Sequence, residues 1–348
     1  VIEVPSCKKF VAKWNGCPVA AGPRPERAAI VLTPIALLLT PLVLLGLLGL
    51  LGLLVALSGV LGWLANRLLP PRGRFVSAAG ERIHLLDQGS GPPLLLIHGL
   101  GGQTGNFTYA LVDQLASDFR VLTFDRPGSG HSSRARGSPA GVCAQAEQVS
   151  QLITALGLQD LMVVGHSLGG AIALALALQH PEQVRSLALV APLTQALSVP
   201  PPAFRLLAIR SRFWRQVVGW TVAAPLGILR SRQVMEAIFS PQLPPADFAS
   251  RGGGLLTLRP WNFVHACEDM AGIESDLSAI AARYGQLQVP VSILFGRGDQ
   301  ILDPQRHALG FGEQQPAAHL EFVDGGHMLP VSQPQLTADF IRRAARCR

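Results

Sequence analysis

The sequence predicts an α/β fold, a mostly parallel sheet flanked by helices, from about residue 70 to residue 348. Three observations point there. Apolar runs of strand length at residues 94–97, 121–124, 161–164, 187–190, 291–296 and 320–323 alternate with stretches that suit helices, the pattern a parallel sheet demands. The run at 161–164 enters Gly165-His166-Ser167-Leu168-Gly169 and then an Ala-rich segment at 170–178, so strand, sharp turn and helix follow without a gap. About 270 residues are also enough for one large domain.

Residues 1–27 are basic, carry Cys7 and Cys17, and read as a disordered tail. Residues 28–69 read as a hydrophobic membrane segment. No charge occurs from Ala28 to Leu64, and from Leu42 to Leu64 only Ser58 is polar. That window of about 23 residues crosses a bilayer core of ~30 Å. Pro34 and Pro41 place the start of the regular helix after Thr40, so a transmembrane helix over about 42–64 is expected. Ala56-Leu57-Ser58 has the look of a signal cleavage site, but the apolar run exceeds the roughly 7–15 residues of a secretory core. Gly46, Gly49 and Gly52 recur every third residue, not every fourth, and mark no dimer face. Arginines flank the span on both sides, so positive charge gives no orientation.

Glycines two before and two after Ser167 meet a steric demand, because the turn brings strand and helix backbones together. A serine there is a poor nucleophile until a base removes its proton, and the base needs a carboxylate to fix its tautomer. Both are present downstream. Arg297-Gly298-Asp299 turns off the 291–296 strand, and Asp324-Gly325-Gly326-His327 follows the 320–323 strand. Asp303 and Asp324 are competing carboxylates, but Asp303 precedes Pro304 and fits a helix cap. Upstream, the 94–97 strand runs into His98-Gly99-Leu100-Gly101-Gly102, and the 121–124 strand into Asp125-Arg126-Pro127-Gly128-Ser129-Gly130-His131-Ser132.

Taken in order, these turns resemble the α/β-hydrolase superfamily, in its serine-nucleophile, cap-containing, esterase- and lipase-like branch. The resemblance implies Ser167 as nucleophile, His327 as general base and acid, and Asp299 as the carboxylate that orients it. It also implies an oxyanion hole from the N–H groups of Leu100 and Leu168, worth roughly 3–4 kcal/mol per donor in the transition state. Relatives that open epoxides or remove halogens use an aspartate at the elbow, and Ser167 argues against both. Relatives that place the acid after the sixth strand differ too, since Ala191-Pro192-Leu193-Thr194 holds no carboxylate. His98 and Asp125 are read as shaping their own turns. His84, His131, His166, His180, His265, His307 and His319 lack metal-ligand spacing, and neither metal nor cofactor is expected.

Residues 194–288 are too long for a plain crossover and read as an inserted helical cap. Its Leu, Ile, Val, Phe and Trp content predicts a mostly apolar pocket beneath it. From Arg205 to Arg232 it has six arginines and no acid, which suits either a solvated helix face or anionic lipid headgroups. The net charge of +7 is no nucleic-acid footprint; it fits a modest attraction to anionic membranes. Five widely spaced cysteines give no disulfide frame or zinc site. The sequence thus predicts a membrane-anchored serine hydrolase for carboxylic esters, small-molecule or lipid-like. Hydrolysis of a carbon–carbon bond in a diketone-like compound and acyl transfer to another acceptor are the enzymatic alternatives. A non-catalytic binding protein on the same scaffold is a fourth reading, against which the full triad speaks.

Overall fold

The computed structural model describes residues 26–346, with side-chain surroundings from Leu39 on. The basic tail expected over 1–27 lies outside the described residues, except for its last two. The chain divides into two units, residues 1–52 and 53–348. Helix α1 (Glu26–Leu68) begins in the first and ends in the second.

The helix expected over about 42–64 is longer, because it runs unbroken through Pro34 and Pro41. Each proline removes one backbone hydrogen bond, whereas ending the helix among apolar residues would leave several backbone groups unpaired. Among the described residues one helical stretch, Leu39–Leu68, is long and apolar enough to cross a bilayer, with mean hydropathy 2.6.

The second unit is built on eight strands: β1 (Arg74–Ala78), β2 (Glu81–Gln88), β3 (Pro93–Ile97), β4 (Arg120–Phe124), β5 (Leu161–His166), β6 (Val184–Val190), β7 (Val291–Gly296) and β8 (His319–Val323). Their order in the sheet is β1-β2-β4-β3-β5-β6-β7-β8. β1 pairs with β2, and β2 with β4, antiparallel; all other pairs are parallel. β5 and β7 are buried along their whole length, as central parallel strands covered on both faces must be. Side chains alternate between the faces. In β3, Leu95 and Ile97 join one core with Val163 and Ile172, while Leu94 and Leu96 join the other with Phe107 and Phe340.

Helices α2 (Val142–Ala155) and α3 (Leu168–Gln179) cover the first face. Between β6 and β7 the chain is helical, with α4 (Arg212–Thr221), α5 (Ala223–Phe239) and α6 (Pro260–Ala281) as its main elements. The C-terminal helix α7 (Pro334–Arg346) buries Thr337, Ala338, Phe340, Ile341 and Ala344 on the second face.

The last turns of α1 pack on this insertion. Ser58, the one polar residue of the apolar window, donates from Oγ to the Thr221 carbonyl at 2.9 Å. That carbonyl lies at the C-terminus of α4, where helical partners run out. A Cβ on Gly62 would stand 3.3 Å from Pro260 Cδ, and Arg259 Nη1 donates to Asn66 Oδ1 at 2.8 Å. Ser58, Gly62, Ala65 and Asn66 follow helical spacing and form one contact face.

Candidate active site

Parallel strands end at one edge of a sheet, so the turns after β3, β5, β7 and β8 gather there. The register places Ile97 beside Gly165 and Gly296 beside Val323. Ser167 follows β5 directly and has φ of 56°, a left-handed backbone that a non-glycine side chain adopts only at a cost. A Cβ on Gly165 would lie 2.5 Å from the Gly169 carbonyl oxygen, and one on Gly169 would collide with the Ile97 carbonyl. Both glycines are therefore needed for strand and helix to approach so closely.

Asp299 and His327 meet at this edge. His327 Nδ1 donates to Asp299 Oδ2 at 2.7 Å, with both side chains buried. Asp299 Oδ1 accepts from the amides of Ile301 and Leu302 at 2.8 and 3.0 Å, so its carboxylate is held at both oxygens. This arrangement fixes the His327 tautomer and leaves Nε2 as the proton acceptor. The competing Asp303 instead accepts from the Gln305 amide at 3.0 Å, as a turn cap does. His166 ties the histidine loop to the elbow. Its Nε2 donates to the His327 carbonyl at 3.0 Å, and the two rings lie 5.0 Å apart. Burial, followed by the neighbouring His327, pulls the His166 pKa down to about 3. Among the described residues Ser167 Oγ makes no hydrogen bond; the serine–histidine contact of such sites often tightens only with substrate.

The turn after β3 passes against the elbow, where a Cβ on Gly99 would stand 2.9 Å from Ser167 Cβ. Leu100 and Leu168 line one cavity with Ser167. Among the described residues neither of their amides donates to a backbone carbonyl, and Leu168 opens α3, where helical N–H groups are free. The cavity is about 20 Å³ and otherwise apolar, with Leu193, Phe204, Met270 and Ile273 among its walls. The apolar lining agrees with the sequence reading, but the volume is far below the roughly 300 Å³ and more of a site holding a small ligand. The site is closed.

The pattern of the α/β hydrolase fold matches residues 92–334. The chain belongs to the α/β-hydrolase fold family. Within that family it is 26% identical over 275 residues to RutD of Rhizobium rhizogenes, a protein named for carbamate hydrolysis, covering 76% of this chain and 97% of that one. It is 40% identical over 126 residues to a 2-hydroxymuconate semialdehyde hydrolase of Pseudomonas putida, covering 35% of this chain and 43% of the relative; this match thus spans under half of that relative. Among solved structures, a 2-hydroxy-6-oxo-6-phenylhexa-2,4-dienoate hydrolase from Rhodococcus superposes with a TM-score of 0.65 at 22% identity, covering 79% of this chain and 98% of the other. The two relatives matched by sequence are named as hydrolases, and the Rhodococcus structure shows the shared fold.

Sequence reading missed the strap behind the site. Arg126, fully buried, donates from Nε to the His98 carbonyl at 3.1 Å and from Nη2 to the Gly99 carbonyl at 2.9 Å. Its Nη1 reaches Asp269 of α6 at 2.7 Å and also Gln145 of α2. Asp269 in turn pairs with Arg134 at 2.7 Å. One guanidinium thus fastens the turn carrying Leu100 to the helical insertion. His98 completes the fastening, donating from Nδ1 to the Gly99 carbonyl and accepting the Arg126 amide at Nε2. Burial, then Arg126, pulls its pKa down to about 3, which keeps it neutral and able to accept. Asp125 accepts from the amides of Thr104 and His131 and from His84. Burial would raise its pKa, but the His84 hydrogen bond and the other donors hold it below the usual value. Arg126 stood in plain view in the D-x-x-G-x-G-x-S turn; Asp269, over a hundred residues away, gave no local signal.

Proposed function

We propose that the protein is a serine hydrolase of carboxylic esters, anchored to a membrane by α1. The observation that carries the reading is the buried Asp299–His327 hydrogen bond of 2.7 Å beside a serine at a strained elbow. Ser167 Oγ attacks the ester carbonyl while His327 Nε2 takes its proton. Asp299 stabilises the resulting imidazolium. The oxyanion is held by the Leu100 and Leu168 amides. His327 then protonates the departing alcohol, and the acyl group stays on Ser167 until water, activated by the same histidine, releases the acid.

The apolar cavity wall favours a neutral, lipid-like ester. Carbon–carbon bond cleavage and acyl transfer use the same relay. An anionic substrate for either would find no cationic side chain lining the cavity. The test is a chain-length series of p-nitrophenyl esters with and without an anionic acyl group. Faster turnover of the anionic compounds would contradict the neutral, lipid-like preference, and no turnover of any ester in the series would contradict the ester reading.

A further inference from the structure

Beyond the anchor itself, α4 carries a surface that its own fold leaves uncovered. The turns from Leu53 to Leu64 expose Leu53, Val55, Leu57, Val60, Trp63 and Leu64, while Ser58 and Gly62 on the adjoining face contact the insertion. The end of α4 and the start of α6 therefore stand level with apolar turns of α1. Aromatic rings collect at that level. Trp220 and Trp261 lie 6.3 Å apart, and Arg67 stacks 5.4 Å over Trp63. Tryptophan with an arginine alongside is the side-chain chemistry of the membrane–water boundary.

The outer face of α4 continues this surface. Phe213 and Trp220, seven residues apart, share one helical face, with Trp214 beside it. Phe213 is 67% and Trp214 56% exposed. Ile228 and Leu229 of α5 are exposed as well. Around them, Arg205, Arg212 and Arg230 have no carboxylate partner among the described residues. Exposed aromatic side chains on α4, together with cations that lack a carboxylate partner among the described residues, match the apolar edge and negative charge of an anionic leaflet.

We propose that α4 and the start of α5 seat on the bilayer, with Phe213, Trp214 and Trp220 in the interfacial layer and the arginines on anionic headgroups. The inference rests on the reading of α1 as a membrane span. It bears on catalysis because Pro201 and Phe204, in the turn just before α4, form part of the wall over Ser167. A seated α4 holds that wall at the lipid surface, so an ester leaving the bilayer reaches the site without crossing water.

The experiment uses the full chain in vesicles of phosphatidylcholine with or without phosphatidylserine, the lipids brominated near the top of the acyl chain. Bromine quenches tryptophan emission on contact. W214F/W220F keeps the aromatic packing, and the variant should lose about half of the quenching seen in the wild type, since rings at this boundary are the ones bromine reaches. Its activity on a water-soluble ester should stay unchanged. R212Q/R230Q should lose the extra quenching that phosphatidylserine brings. Quenching equal in wild type and W214F/W220F, in a protein that stays with the vesicles, would overturn the seating alone. Quenching indifferent to phosphatidylserine would overturn the role of the arginines. Release of the wild-type chain by carbonate would overturn the anchor reading and the seating with it.

Discussion

Ser167 keeps its strained backbone through contacts of its neighbours, so Ser167→Ala removes Oγ and little else. The variant should fold normally and lose hydrolysis by factors of about a thousand or more. His327→Ala should be nearly as severe, and the double variant little worse, because the groups act as a unit. Asp299→Asn should lower kcat by orders of magnitude, since an amide neither stabilises the imidazolium nor fixes the same tautomer. Asp303→Asn should be mild, because Asp303 holds only the Gln305 amide; steady-state kinetics of the pair gives the ranking. Buried histidines set the acid limit. Burial lowers the pKa of His98 and His166 to about 3, and of His131 and His307 to about 4, whereas an unfolded histidine titrates near 6.5. Between about pH 6.5 and pH 4 the unfolded chain therefore binds more protons than the folded one. Stability is full above that window and falls as pH drops through it. His84 shifts the other way: burial alone would lower its pKa, but Asp125 raises it. It is one histidine against four. Urea midpoints measured from pH 7.5 to 4.5 should decline steadily; a flat profile would show these histidines charged or exposed.

At the level of elements, the buried Arg126–Asp269 pair links the turns of the sheet to the insertion. Both groups are buried at 2.7 Å, and Arg134 and Gln145 complete the cluster. Removing one partner strands the other, so Asp269→Ala should cost about 3–5 kcal/mol by urea unfolding. A loss below about 1 kcal/mol would mean the cluster is hydrated. Elements differ in how plainly the sequence announces them. The parallel strands are continuous apolar runs, legible because burial on both faces leaves no room for polar residues. The hairpin β1–β2 is not among those runs, since its strands mix Arg, Glu, His and Gln with apolar residues. Its turn, Ala79-Gly80, takes positive φ at both positions, a demand that Gly80 meets easily and Ala79 does not advertise. The prolines of α1 misled in the other direction: proline predicts a break, but the helix gives up one hydrogen bond at each proline and keeps the rest by running on.

At the scale of the molecule, the turns of the proposed site were readable because each is short, glycine-bearing and fixed to a strand end. The small volume of the cavity was not, because it depends on how Phe204, Met270 and Ile273 settle from distant segments. A cavity of about 20 Å³ is too small for an acyl chain, so its walls must part to admit one. Once open, each buried CH₂ adds up to about 0.8 kcal/mol, so kcat/KM should rise from acetate to hexanoate by at most roughly fourfold per methylene. A flat or falling series would show that the apolar walls only pack the insertion onto the sheet. The anchor is tested by fractionation. The full chain should stay in the membrane pellet through high salt and carbonate, because burial of apolar surface is not screened by ions.

The central claim is that Ser167 is an activated nucleophile. A fluorophosphonate probe, followed by peptide mapping of the labelled chain, tests it most directly. The account predicts a single adduct on Ser167, absent in Ser167→Ala and strongly slowed in His327→Ala. Labelling at another serine, or none in a chain that still cleaves esters, would contradict it.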